Sequence, residues 1–273
     1  MSGASGIGPD TLVSVVVACY NGSRYLRATL DSVLRQTHRA LELIVVDDCS
    51  TDDSPAIVEA LAASDPRVRL LRLARNHGTP GGPRNAGVRE ALGEWVAFLD
   101  ADDLWHPRKL ELQLRVLAEE GATMCSTQML DFRDEAKVRL AEPPARPRIV
   151  RITLGQQLRK YRTPTSSIVV RRQLMLEHPF NEAVAFRARE DTDCFIRAHE
   201  YMPHSVKIVF PLVHYRLQAA QISGNKWKMV DRHLSMLRQY RLRSGAALGW
   251  KAYWFTATHF IASVWIRMIR GTL

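Results

Sequence analysis

Val96-Ala97-Phe98-Leu99-Asp100-Ala101-Asp102-Asp103 is a short apolar run that ends abruptly in three carboxylates. The apolar part has the length and composition of a buried strand, and the carboxylates stand at its carboxyl end. Two acids about 4 Å apart repel by roughly 4 kcal/mol at an effective dielectric of 20, so such a cluster suits a bound cation. An acidic turn that caps the next helix is the other reading, and Pro107 suits a helix start. The segment alone leaves both open.

Around this stretch, residues 12 to 100 alternate two patterns. Leu12 to Ala18, Leu41 to Val46, Val68 to Leu73 and Trp95 to Leu99 read as strands. Tyr25 to Gln36 places Leu26, Leu30, Val33 and Leu34 on one helical face, and Pro55 to Ala63 follows the capping run Ser50 to Ser54. Strands alternating with helices predict crossover units and a mainly parallel sheet, with ligands beyond the strands' carboxyl ends. Those ends read Cys19-Tyr20-Asn21-Gly22, Asp47-Asp48-Cys49-Ser50-Thr51-Asp52 and Asp100 to Asp103, so polar groups converge on one edge. Asn76 to Gly87, rich in glycine and proline, reads as a loop forming a pocket wall. No GxGxxG follows the first strand and no GxxxxGK[ST] occurs, which excludes the dinucleotide and P-loop readings.

Downstream, the pattern predicts a helix from Pro107 to Glu120, a strand from Ala122 to Leu130, and a surface loop at the proline cluster 143 to 147. A helix from Leu154 to Tyr161 capped by Thr153 follows, then a strand from Ser167 to Val170. Glu190, Asp191 and Asp193 open an amphipathic helix, where acids gain about 0.3 to 1 kcal/mol from the helix dipole. Val213-His214-Tyr215-Arg216 ends another apolar run.

The 273 residues, 46% apolar and 24% charged, suffice for a sizeable core. Cys19, Cys49, Cys125 and Cys194 are far apart without a CxxC pair, so neither a zinc site nor a disulfide framework is indicated and a reducing compartment is expected. Residues 1 to 11 read as a flexible start without a secretory signal. The net charge of +10 lies entirely after residue 200, where eleven Lys or Arg face the single acid Asp231. From Leu248 to Ile269 the chain is rich in Trp, Tyr and Phe and flanked by Lys251, Arg267 and Arg270. Its uncharged run, Ala252 to Ile266, is short of the roughly 20 residues that span a bilayer. Lying in the surface of an anionic membrane fits better, and no nucleic-acid-binding module accompanies the charge. A helix packed on the protein's own core is the alternative.

In combination and order, these motifs resemble the inverting family-two glycosyltransferases with the GT-A fold, over about residues 12 to 223. VVVACYNGSRYLRATLDSVLRQT followed by ELIVVDDCSTDDS is similar to the family's nucleotide-binding start, FLDADD to its DXD metal motif, REDTDCFIR to its ED motif, and HYR to the basic segment that closes over the site. The resemblance implies an α/β GT-A fold, with a Rossmann-like mixed and mainly parallel sheet flanked by helices. It implies a glycosyltransferase domain at 1–223, which leaves the basic, aromatic, amphipathic helical stretch at 224–273 as a tail.

It also implies a metal-dependent enzyme that moves a hexose or N-acetylhexosamine from a nucleotide-sugar, a UDP-sugar above all, to a saccharide or lipid-linked acceptor in bacterial surface polysaccharide synthesis. The location implied is cytoplasmic, at the inner face of the cell membrane. Asp102 would ligate Mn²⁺ or Mg²⁺, with Asp100 nearer the ribose or the metal's water; an all-oxygen donor set favours these ions over zinc. Ala18, Tyr20, Asn21, Asp48, Arg84, Asp100, Ala101 and Arg216 would bind the donor, with Tyr20, Asp48 and Arg84 at the nucleobase and Arg216, beside Tyr215, on the diphosphate. Asp191 would be the base, Glu190 would orient the acceptor, and Thr165-Ser166-Ser167 would wall the acceptor side. The chain departs from the family at Gln218, where many relatives carry histidine, which weakens a metal or phosphate role there. A non-catalytic nucleotide-sugar binder of the same fold is the alternative.

Overall fold

The computed structural model describes residues 6–160, 162–218 and 226–269. The amino-terminal half alternates strand and helix: β1 (Val13–Cys19), α1 (Ser23–Leu34), β2 (Leu41–Asp47), α2 (Ser54–Ser64), β3 (Val68–Arg72), α3 (Gly81–Glu90) and β4 (Trp95–Asp100). β1 lies between β2 and β4, and β2 between β1 and β3, all parallel. The register sets Ala18 level with Val46 and with Asp100, and Cys19 level with Asp47, so three strand ends meet at one edge.

The second half widens the sheet. β5 (Leu104–Trp105), α4 (Lys109–Glu120), β6 (Met124–Phe132), β7 (Ile149–Ile152), α5 (Leu154–Arg159), β8 (Val169–Arg171), α6 (Arg172–Glu177), α7 (Glu190–His199) and β9 (Ser205–Arg216) follow. Among the described residues the order is β3-β2-β1-β4-β8-β6-β9-β5, with β7 on β9. β8 runs antiparallel to β4 and β6, whereas β6 and β9 are parallel. The sheet is thus mixed and mainly parallel in its first half.

Alternation along β1 builds both faces. Val13, Val15 and Val17 pack with Leu26, Leu30 and Leu110 on one side, and Val16 packs with Phe98, Met175 and Phe195 on the other. A third cluster joins Leu158 of α5 and Ile196 of α7 to Met236, Leu237, Leu248 and Ala252. The last four belong to α8 (Lys226–Gln239), α9 (Lys251–Ile269) and their connection. The basic tail is therefore seated on the fold's own core along one face. The proposed boundary at 223/224 lies outside the described residues, as do residues 1–5 of the flexible start and Tyr161.

The expected loop over 76–87 is corrected in its second half, which forms the start of α3. Its glycines serve contact: a Cβ on Gly87 would meet Val16 Cγ1 at 2.4 Å, and one on Gly82 the His77 ring at 2.4 Å. Pro83 sits in the first turn, where its missing N–H leaves no helical bond unmade. The strand expected at 167–170 begins later, because Thr165–Ser167 closes a 3₁₀ turn first. α5 starts where expected, with Gln156 Oε1 accepting from Thr153 N at 3.0 Å, but ends at Arg159.

His233 of α8 and His259 of α9 stack at 4.4 Å between ring centroids. Neither nitrogen of His233 has a partner among the described residues. Burial, His259 and Arg189 push His233 down to about 2; burial, Arg189 and Lys160 push His259 down to about 4. Unfolded histidine takes its proton near 6.5. Below that pH the unfolded chain binds protons that the folded one refuses, so stability falls as pH falls. Thermal unfolding should lose on the order of 2 kcal/mol between pH 6.5 and 5 through His233. That part of the pH dependence should be missing in His233→Phe.

Candidate active site

The carboxylates that end β4 have three separate environments. Asp103 is fully buried, and its Oδ1 accepts from the Arg216 backbone N at 3.0 Å. Burial and the charges of Asp100 and Asp102 hold its pKa well above the usual carboxylate range. Asp103 therefore anchors the end of β9 and is withdrawn from the cleft. Asp102 lines the cleft, and its Oδ2 accepts from Gln218 Nε2. Burial and Asp100 push Asp102 up to about 6, which marks a place where a cation would be favoured. Asp100 donates from its backbone N to Ser166 Oγ at 3.1 Å, and its carboxylate accepts from Arg84 Nη2 at 2.7 Å.

A metal here would rest on Asp102 and Asp100. No group of three or more His, Cys, Asp or Glu able to hold an ion occurs among the described residues. Two carboxylates without nitrogen or sulfur fit Mg²⁺ or Mn²⁺, which keep waters and complete their shell with substrate phosphates.

Arg84, on the first turns of α3, links this edge to α7. Its Nη1 donates to Glu190 Oε1 at 3.1 Å while Nη2 holds Asp100. Burial disfavours the guanidinium charge, but Asp100, Glu190 and Asp191 more than offset that and keep its pKa above the ordinary value. Burial and Asp191 raise Glu190, against the pull of Arg84. The resemblance sets Arg84 at a nucleobase; the structure gives its guanidinium to these two carboxylates. Asp191 Oδ2 accepts from Thr165 Oγ1 at 3.1 Å, and its Oδ1 accepts from Thr192 N at 2.7 Å. Thr165 and Asp191 both face the cleft.

On the opposite flank, Tyr20 is 55% exposed at the cleft mouth. Asn21 adopts φ 50°, a left-handed conformation asparagine tolerates, and its Oδ1 accepts from Thr51 N at 2.8 Å. Asp48 accepts from His77 N at 3.0 Å and pairs with His77 Nδ1 at 2.8 Å. Ala18 and Ala101 line the cleft between these groups and Asp102.

Arg216 is buried between the Tyr25 and Phe132 rings, 4.2 and 4.5 Å from their centroids. Its Nε donates to the Asp102 carbonyl at 2.8 Å and its Nη2 to Glu135 at 2.9 Å. It fixes the backbone under the acidic cluster. His214 is buried edge-on to Phe132, and burial and the neighbouring His106 lower its pKa. Tyr215 lines the cleft.

The cleft spans about 1790 Å³, beyond the 300–1,000 Å³ of a typical small-ligand pocket. Sequence reasoning missed the contact of Gln218 with Asp102 and the basic groups at the far end, Arg148, Lys160, Arg162 and Lys207. They are scattered along the chain and carry no linear pattern. Thr165 and Ser166, read as a wall, are direct partners of Asp191 and Asp100.

A half-parallel sheet whose carboxyl edge carries an Asp-Ala-Asp turn facing a Glu-Asp helix start is the arrangement of the GT-A glycosyltransferases. The chain belongs to glycosyl transferase family 2, whose model matches residues 14–175, more than half of its length. It is 46% identical over 114 residues to the succinoglycan biosynthesis protein ExoO of Rhizobium meliloti, covering 42% of this chain and 31% of that protein. It is 28% identical over 232 residues to the UDP-Glc:alpha-D-GlcNAc-diphosphoundecaprenol beta-1,3-glucosyltransferase WfgD of Escherichia coli, covering 85% of this chain and 87% of that protein. Among solved structures, S. aureus TarS 1-349 superposes with a TM-score of 0.64 at 21% identity, over 82% of this chain and 64% of that one. The mannosyltransferase PcManGT of Pyrobaculum calidifontis, solved with GDP-Man and Mn²⁺, gives 0.63 at 19% identity, over 96% and 76%. The fold is thus the GT-A fold. The chain spans less than a third of the length of the relatives ExoO and an uncharacterized Rickettsia felis glycosyltransferase.

Replacing Arg84 with Met would strand Glu190 as a buried, unpaired carboxylate. Equilibrium denaturation should show a loss of about 3–5 kcal/mol.

Proposed function

We propose that the protein is a metal-dependent, inverting glycosyltransferase that moves a sugar from a UDP-sugar to a saccharide carried on a lipid, in bacterial surface polysaccharide synthesis. The observation that carries this reading is Asp191, hydrogen-bonded to Thr165 on the wall of the same cleft that holds Asp100 and Asp102. WfgD, whose name gives UDP-Glc as donor and a diphosphoundecaprenol-linked acceptor, matches over most of both chains, which supports the choice of substrates.

In this reading Tyr20 stacks on the base and the small Ala18 and Ala101 leave room for the ribose and diphosphate. Asp102 and Asp100 would hold Mn²⁺ or Mg²⁺, which would supply positive charge to the departing diphosphate. Asp191 removes the proton of an acceptor hydroxyl as that oxygen bonds to the sugar's anomeric carbon from the face opposite the leaving group. The bond from anomeric carbon to phosphate oxygen breaks in the same step, its electron pair goes to the nucleoside diphosphate, and the configuration inverts. Glu190, tied to Arg84, sets the orientation of the α7 start and of Asp191.

Asp191→Asn should bind UDP as the wild type does but lower nucleotide release from UDP-sugars by 10²- to 10⁴-fold; undiminished release would remove Asp191 from the role. Asp102→Asn should make UDP affinity equal in Mn²⁺ and in EDTA.

α9 gives the reading its place. Trp250, Tyr253, Trp254 and Ile261, at spacings of three, four and seven, are 73, 55, 57 and 65% exposed on or just before one face of the helix, while Ala252 and Thr256 on the other face are buried. No helix among the described residues is long and apolar enough to cross a membrane. An exposed aromatic face beside Lys251 suits the headgroup layer of an anionic membrane, at the inner side of the cell membrane. Replacing Trp250, Trp254 and Ile261 with Ser should reduce flotation with phosphatidylglycerol vesicles at least tenfold without lowering UDP affinity.

A further inference from the structure

The far half of the cleft has a chemistry that the donor does not need. Around Thr165 and along β7 and β9 it is lined by Arg148, Lys160, Arg162 and Lys207, whereas Asp131, level with Tyr215, and Arg133 lie towards the Arg216 end. We infer that Arg148, Lys160, Arg162 and Lys207 form a subsite for the phosphate or diphosphate through which the acceptor saccharide is joined to its carrier. This deepens the acceptor assignment above and rests on it.

The cations are set by the sheet. β7 pairs antiparallel with β9, with Val150 opposite Lys207 and Ile149 opposite Ile208. Ile149 and Ile208 pack into the core, so by alternation Val150, Ile152, Lys207 and Val209 face the cleft, together with Arg148 at the start of β7. An apolar floor flanked by cations results.

The segment that carries Arg162 is held just as firmly. Lys207 Nζ donates to the Arg162 carbonyl at 2.9 Å, and Arg162 N donates to Gln157 Oε1 at 3.2 Å. Gln157 Nε2 in turn holds Thr163 Oγ1 at 2.6 Å. Within this braced loop Arg162 Nε is buried without a hydrogen-bond partner among the described residues. Arg162 also lines the cleft, where a guanidinium and a phosphate match well. Three residues further on, Thr165 holds Asp191. Three extended residues reach at most roughly 11 Å. That is the scale of one sugar ring plus the phosphate on its anomeric carbon. In the proposed reading the donor's own diphosphate is held at Asp102 and Asp100, residues separate from these cations, so a second anion site serves a second substrate.

The test uses n-octyl diphosphate, below its micellar concentration, as probe, with calorimetry on the full chain in EDTA and without nucleotide. Wild type should bind it at least tenfold more tightly than an uncharged octyl glycoside. Arg148→Gln combined with Arg162→Gln should weaken it at least tenfold, the expected cost of losing two charge-assisted contacts, and Arg162→Lys should lose less. The double variant should keep wild-type UDP affinity in Mn²⁺, which shows it folded. Asp102→Asn should bind octyl diphosphate within twofold of wild type. Wild-type affinity in the double variant, or loss of binding in Asp102→Asn, would overturn the inference. So would an equal drop in the double variant's binding to phosphatidylglycerol vesicles without the diphosphate, which would reassign the cations to the membrane. If wild type fails to bind UDP in Mn²⁺, the donor reading falls, whereas the octyl diphosphate comparison is decided on its own.

Discussion

One guanidinium holds the two halves of this protein's chemistry together. Arg84 leaves α3 beneath the sheet edge and takes Asp100 of β4 with one nitrogen and Glu190 of α7 with another. The two carboxylates belong to segments ninety residues apart. Without a shared cation their mutual repulsion and desolvation would drive them apart or force them to take up protons. The bridge requires α3 to lie close on the sheet, and Gly87 against Val16 allows that approach. Packing, electrostatics and the site are therefore a single constraint: a residue without a side chain lets a helix settle low enough for its arginine to reach both motifs.

Much of this was legible in the chain. The first four strands could be read to within a residue or two because each is a short run rich in Val or Leu, and their parallel pairing followed from the helices between them. Asp100 and Asp102 stood out because charge follows an apolar segment abruptly, and Glu190 and Asp191 because acids open an amphipathic helix. The rest depended on tertiary context. Glycine and proline over 76–87 suggested a loop, since composition cannot distinguish a glycine needed for a turn from one needed for contact. Arg84 and Arg216 read as ligand-binding cations; their carboxylate and carbonyl partners lie far off in sequence, and nothing local reveals that they fasten the scaffold. The basic half of the cleft was invisible for the same reason, because it forms when β7 is laid beside β9.

The tail illustrates how one segment can satisfy two environments. Its net charge and aromatic content suggested a membrane surface, and its alternative was a helix packed on the protein. The third core cluster takes Leu248 and Ala252 on one side, and the opposite side leaves Trp250, Trp254 and Ile261 open. An amphipathic helix normally has one apolar face to bury. α9 has two, and the fold uses only one of them.

The contact between Gln218 and Asp102 alters how affinity at the acidic edge should be understood. A ligand that approaches Oδ2 of Asp102 finds an amide already there, so its observed affinity is the intrinsic one reduced by the fraction of time the amide is displaced. Loading of the site is then an exchange reaction. It penalises a bare ion, which must give up its water to replace one neutral dipole, more than an ion that arrives with phosphate oxygens filling the rest of its shell. In the proposed reading Gln218, two residues after β9, would act as a threshold that biases the edge toward ion and nucleotide arriving together.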